Sequence, residues 1–122
     1  MGKAILIVDD SEDTRELFTS TLRYEGFEVE AARDAEQALD ILRERDDFAC
    51  VLLDLKMPKM SGIDLIERIN IEGIAPQVPF MLVSAAENIE EMDLPPNVVD
   101  ILKKPFFFPE LIFKLRQFNF PR

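Results

Sequence analysis

Histidine is absent from this sequence, and Cys50 is its only cysteine. Without histidine, and with one thiol, a zinc or copper centre has few of the ligands it needs. A lone cysteine also excludes an intrachain disulfide. It lies in the apolar run Ala49-Cys50-Val51-Leu52-Leu53, where a thiol reads as buried and inert rather than nucleophilic. Basic residues are scarce as well: 14 against 24 acidic ones, for a net charge of −10. That balance lacks the clustered Lys and Arg that a nucleic-acid backbone requires, so no direct nucleic-acid binding is expected. No stretch approaches the ~20 apolar residues of a membrane span. Ala4 to Val8 is too short for a signal-peptide core and runs into two aspartates. Met1-Gly2 has Leu6, not Ser or Thr, where myristoylation would want a hydroxyl. The cytoplasm, without membrane contact, is the expected location. There is no internal repeat, low-complexity tract or interdomain linker, so residues 1–122 are expected to form a single domain, free-standing or excised from a larger protein.

Apolar residues make up 48% of the chain, enough for one sizeable core and unlike a disordered segment. Strand-length apolar runs alternate with helix-period segments. Ala4 to Val8 reads as a first strand, continuous and β-branched, as for a strand buried on both faces. Asp13 to Tyr24 carries Leu17, Phe18 and Leu22 as a helical stripe, and Gly26 stops it. Phe27 to Ala31 is a short second strand. Asp34 and Gln37 form a capping box for a second helix with the stripe Ala38, Leu39 and Leu42. Phe48 to Leu53, Pro79 to Val83 and Val98 to Leu102 are further strands. Ile63 to Ile69 is a third helix. Pro109 to Phe118 is a last helix with proline in its first turn. Strict alternation argues for a parallel sheet with helices on both faces. Right-handed crossovers leave few layouts, of which the strand order 2-1-3-4-5 is the common one at this length. In that order ligands bind beyond the carboxyl ends of strands one and three, where the order reverses.

Those two strands end in Asp9-Asp10 and Asp54. Each motif alone has a bland explanation, since acidic residues after strands often cap the next helix. Convergence is the sharper signal. Two carboxylates ~4 Å apart repel by about 4 kcal/mol at an effective dielectric of ~20, so three gathered together call for a cation or a proton. Oxygen-only ligands suit a hard ion such as Mg²⁺, which uses one or two carboxylates with waters and phosphate oxygens. Ser84 ends the fourth strand and offers a hydroxyl. Lys104 follows the fifth, and its ammonium can neutralise charge on a transferring phosphoryl group. Carboxylates, metal, hydroxyl and lysine together suit formation of an aspartyl phosphate.

Over essentially its full length the sequence resembles the response-regulator receiver family of two-component signalling. The resemblance rests on Ile7-Val8-Asp9-Asp10, Leu53-Asp54-Leu55-Lys56-Met57-Pro58-Lys59-Met60-Ser61-Gly62, Val83-Ser84-Ala85 and Lys104-Pro105-Phe106. It implies a flavodoxin-like α/β fold, a three-layer αβα sandwich. It also implies a signalling domain, not a turnover enzyme, that promotes its own phosphorylation and dephosphorylation. Asp54 would be the phosphoacceptor, and Asp10, Asp54 and the Lys56 backbone carbonyl would ligate Mg²⁺, with Asp9 acting largely through water. Ser84 and Lys104 would bind phosphoryl oxygens. The donor would be a phosphohistidine on a histidine kinase or histidine phosphotransfer protein. A downstream target or a dimer partner would meet the face of the fourth helix, fifth strand and fifth helix.

This chain departs from the family pattern in three places. Ile101 stands where the family often has an aromatic that changes rotamer on phosphorylation, so that switch has no ring here. Pro95-Pro96 falls where the fourth helix normally ends, which predicts a short or irregular helix near Asn88 to Met92. Ser61 stands where the family often has Asp. Three other functions compete. A haloacid-dehalogenase-type enzyme needs a second aspartate two residues after the nucleophile, and Lys56 is there instead. A pseudo-receiver, a phosphorylation-independent interaction module, is favoured only by the altered fourth helix and Ile101. A flavin site has no Gly/Ser/Thr-rich phosphate loop after the first strand. Six of the ten phenylalanines, Phe106, Phe107, Phe108, Phe113, Phe118 and Phe120, fall in the final 17 residues. They are expected either to fill space beside the shortened fourth helix or to form an exposed contact patch.

Overall fold

The computed structural model describes residues 4–117. Strand β1 is Ala4–Val8, followed by helix α1, Glu12–Tyr24, strand β2, Glu28–Ala32, and helix α2, Ala35–Glu44. Strand β3, Phe48–Asp54, leads to helix α3, Gly62–Glu72, and strand β4, Phe80–Ser84. A single 3-10 turn, Ile89–Glu91, precedes strand β5, Val98–Lys103, and helix α4, Phe108–Leu115. All the strands pair in parallel in the order β2-β1-β3-β4-β5.

Alternation along the central strands sends side chains to opposite faces, and both faces are covered. Leu6, Val8, Val51, Leu53, Phe80 and Leu82 join the layer under α2, α3 and the 3-10 turn. Ile5, Ile7, Cys50, Leu52, Met81 and Val83 join the layer with α1 and α4. This two-sided burial is why β1, β3 and β4 read as unbroken apolar runs. The helix starts are fixed locally. Ser11 accepts from the Thr14 N–H at 3.3 Å, Asp34 from Gln37 at 2.8 Å and Ser61 from Asp64 at 3.2 Å. At the second of these, the Gln37 side chain reaches back to the Arg33 N–H at 2.8 Å, one residue earlier than in a standard capping box.

Several expectations need adjusting. Leu17 does not belong to the α1 core stripe: it is 55% exposed, while Phe18 and Leu22 are buried. Residues four apart lie on one helix face, and Leu17 is about 100° around from Phe18. Helices α1 and α3 each begin earlier than the predicted spans, because Ser11 and Ser61 cap them ahead of the apolar stripe, and α3 also runs on to Glu72, where Gly73 in the left-handed region caps it. The fourth crossover is reduced as expected, and Ile89, with 0% exposure, pins its turn to the core. Among the described residues, Phe106 and Phe108 are not the filling expected beside that turn. They instead pack edge-on against Phe18 of α1, with centroids 5.8 and 5.3 Å away. Phe118 and Phe120 lie outside the described residues.

Candidate functional site

Parallel strands bring their carboxyl ends to one rim. At that rim Asp9 and Asp10 follow β1, and Asp54 ends β3, the neighbouring strand. One carboxylate oxygen from each lies within 4.8 Å of the others. Asp9 is buried at 7% exposure, Asp54 is half-buried and Asp10 is exposed.

Asp9 is held at both its side chain and its backbone. Its Oδ1 accepts from the Ser11 N–H at 2.9 Å, and its backbone carbonyl accepts from Arg15 Nη1 at 2.7 Å. Burial pushes its pKa above the ordinary carboxylate range; Asp54 and Asp10 add to that, while the Ser11 N–H and Lys104 oppose it. Asp54 Oδ1 accepts from the Lys56 N–H at 3.2 Å. Ser84, 2% exposed at the end of β4, accepts from the Ala86 N–H at 3.0 Å. The Lys104 N–H donates to the Ser84 carbonyl at 2.8 Å, tying the ends of β4 and β5 together. Lys104 itself is half-buried, and the Lys104-Pro105 peptide is cis.

The loop after Asp54 is built on close approach. The Gly62 N–H donates to the Leu55 carbonyl at 2.9 Å. A Cβ on Gly62 would lie 2.8 Å from the Asp54 carbonyl oxygen, so only glycine fits there. Ser61 takes the N-cap of α3, which accounts for serine at that position. Lys59 adopts the left-handed region at φ 71. Beside this loop runs a groove of about 580 Å³ whose lining is mostly apolar, Leu55, Met57, Pro58, Ile63 and Met92, and includes Lys56 and Ser61. Cys50 is fully buried in β3, and burial pushes its thiol pKa far up, as its apolar surroundings imply.

Of the residues singled out from sequence, Asp9, Asp10 and Asp54 converge within ligand distance, and Ser84 and Lys104 stand at the same rim. Ser11, Arg15 and Gly62 contribute contacts that strand-end motifs do not reveal. The donor set is oxygen alone, in a chain without histidine, which fits a hard divalent cation.

The family model of the response regulator receiver domain matches residues 5–116. Response regulator MprA of Mycolicibacterium vanbaalenii is 32% identical over 119 residues, covering 95% of this chain and 50% of the relative. The chain thus spans about half the length of the curated relatives it matches. Response regulator TrrA of Thermotoga maritima, solved in complex with Mg²⁺-BeF, superposes with a TM-score of 0.83 at 29% identity, covering 94% of this chain and 97% of that one. The receiver domain of sensor histidine kinase PA1611 from Pseudomonas aeruginosa, solved with a magnesium ion in its active-site cleft, gives 0.82 at 25% identity, with 96% and 97% covered. The sheet order, the acidic rim at the β1/β3 switch point and a family match over nearly the whole chain agree: this protein belongs to the response regulator receiver domains.

Proposed function

We propose that this chain is a phosphoaccepting receiver of a two-component or phosphorelay system, acting as a single domain over residues 1–122 in the cytoplasm. Asp54 is the nucleophile. Asp10, Asp54 and the Lys56 backbone carbonyl ligate Mg²⁺, with Asp9 acting largely through water. The observation that carries this reading is the meeting of three carboxylates within 4.8 Å. It gives a phosphorylation-independent module no support. Bound there, the cation neutralises the carboxylates and the negative charge on the phosphoryl oxygens.

The chain's own groups do the rest. An Asp54 carboxylate oxygen attacks phosphorus in line as the P–N bond of a phosphohistidine breaks. The imidazole nitrogen keeps the bonding pair, and the ring leaves neutral when its other nitrogen carries a proton. The Ser84 hydroxyl and the Lys104 ammonium hold the oxygens of the arriving phosphoryl group. Later attack by water releases phosphate and restores the carboxylate. The donor is a histidine kinase or histidine phosphotransfer protein. The downstream contact, to a target or a second copy, lies on the face of the 3-10 turn, β5 and α4. There Phe107 and Phe113 are 83% and 68% exposed.

Incubation with acetyl phosphate, with and without Mg²⁺, followed by intact-mass spectrometry, tests the chemistry. One phosphoryl group should be gained only with Mg²⁺ and not by Asp54→Asn. Labelling of Asp54→Asn at the wild-type rate would refute the assignment.

A further inference from the structure

We propose that Arg15 is a positioning residue for the cation, acting through the backbone of Asp9. The proposal rests on the metal-dependent reading above. Asp9 is gripped at its amide, its carbonyl and one carboxylate oxygen. Its N–H donates to the Ala32 carbonyl at 3.2 Å, its Oδ1 accepts from Ser11, and its carbonyl accepts from Arg15 Nη1 at 2.7 Å. That carbonyl belongs to the peptide joining Asp9 to Asp10. A peptide is planar, so fixing its oxygen also fixes the plane that carries the Asp10 nitrogen. One guanidinium contact therefore sets the direction in which both carboxylates leave the strand end.

The placement of Arg15 makes little sense as surface decoration. It follows Glu12, Asp13 and Thr14 in the first turns of α1. A cation near that helix end meets the positive end of the helix dipole, which is unfavourable by roughly 0.3–1 kcal/mol. Glu12 and Glu16 are close in sequence, yet Arg15 makes no ion pair among the described residues and is half-buried against a carbonyl instead. The acidic rim offsets the helix end. It also supplies the reason for an arginine there: a donor that reaches past the carboxylates to the main chain without competing as a ligand.

The sign of its effect separates this role from two plainer ones. Were Arg15 only a nearby positive charge, removing it would tighten Mg²⁺ binding. Were it only a clamp between α1 and the sheet, removing it would lower the metal-free melting temperature, with no separate effect on the ion. As a positioning residue it should leave metal-free stability nearly intact and weaken the ion. The experiment is a calorimetric Mg²⁺ titration of the full chain as wild type, Arg15→Gln and Arg15→Lys, with thermal melts in the absence of metal. Arg15→Gln should lose roughly tenfold or more in Mg²⁺ affinity, the range for removing a group that orients a ligand. Arg15→Lys, which keeps a charged donor, should lose less, and both melts should stay within a few degrees of wild type. Wild-type or tighter Mg²⁺ binding by Arg15→Gln overturns the proposal. So does an affinity loss accompanied in both variants by collapse of the metal-free melt. A wild type that binds no Mg²⁺ at all would instead bring down the metal reading itself, and this proposal with it.

Discussion

Neutralising Asp9 should make the metal-free protein more stable, although it removes a site residue. Its carboxylate lies within 4.8 Å of those of Asp10 and Asp54. At that separation two unit charges repel by ~3.5 kcal/mol at an effective dielectric of ~20, and by ~0.9 kcal/mol in bulk water. Buried Asp9 against half-buried Asp54 lies nearer the first limit, and exposed Asp10 nearer the second. Lys104 returns part of the repulsion as attraction. Asp9→Asn keeps an oxygen that can accept from the Ser11 N–H, so no donor is orphaned. A gain of about 1–3 kcal/mol follows, or roughly 4–12 °C in melting temperature for a domain of this size.

Excess Mg²⁺ should shrink or invert that gap. A ligand at about 100 times its dissociation constant adds ~2.7 kcal/mol to whichever protein binds it, and the variant has lost a charge from the site. The pH dependence has a definite sign. Asp9 has a raised pKa when folded, so over its titration range the folded state binds more protons than the unfolded state. Wild-type stability relative to Asp9→Asn is therefore lowest at neutral pH. It recovers as pH falls through the raised value toward the ordinary aspartate pKa of about 4. Thermal melts of both proteins, with and without Mg²⁺ across that range, test the argument. A metal-free Asp9→Asn that melts at or below wild type, or a gap that Mg²⁺ does not change, would refute it.

Gly62→Ala should destabilise the fold by about 1–3 kcal/mol in urea unfolding, because the new Cβ meets a backbone oxygen that cannot yield. A neutral result would mean that the loop shifts freely. Ala86 presents only a methyl group beside Ser84, so the aspartyl phosphate should decay slowly. Ala86→Asn, which can position water, should shorten its lifetime in a mass-resolved time course, and a lengthened lifetime would contradict this. Phe107 and Phe113 should mediate self-association or target binding. A strict monomer in sedimentation at high concentration, with target binding that survives Phe107→Ser and Phe113→Ser, would rule the patch out.

The fold was legible because its signals are redundant. A five-residue apolar strand such as Ala4–Val8 fits a parallel sheet covered on both faces and little else. Strict alternation of strands and helices then leaves few layouts. Pro95-Pro96 helped make the reduced fourth crossover readable, since proline denies the helix both a donor and its space. Leu17 was misplaced because a stripe of neighbouring apolar residues does not say where its edge lies. The aromatic ends of the chain were harder. Adjacent phenylalanines carry no period, so nothing in Phe106-Phe107-Phe108 announced that the outer two would turn toward Phe18 and leave the middle one 83% exposed.

The acidic residues of the site were legible for a topological reason. In a parallel sheet the last residue of each strand reaches one rim whatever the loops do, so Asp9-Asp10 and Asp54 had to approach once the strand order was known. What holds them there was not legible, because it consists of contacts between a backbone atom and a group elsewhere in the chain. The Arg15 guanidinium on the Asp9 carbonyl, the Ser11 N–H on its carboxylate and the bare Gly62 against the Asp54 carbonyl depend on how α1 and α3 leave the rim. Sequence spacing says which side chains arrive at a strand end. It says nothing of which carbonyl is left facing a donor, and that second kind of fact bears on how the strand ends hold three repelling carboxylates together.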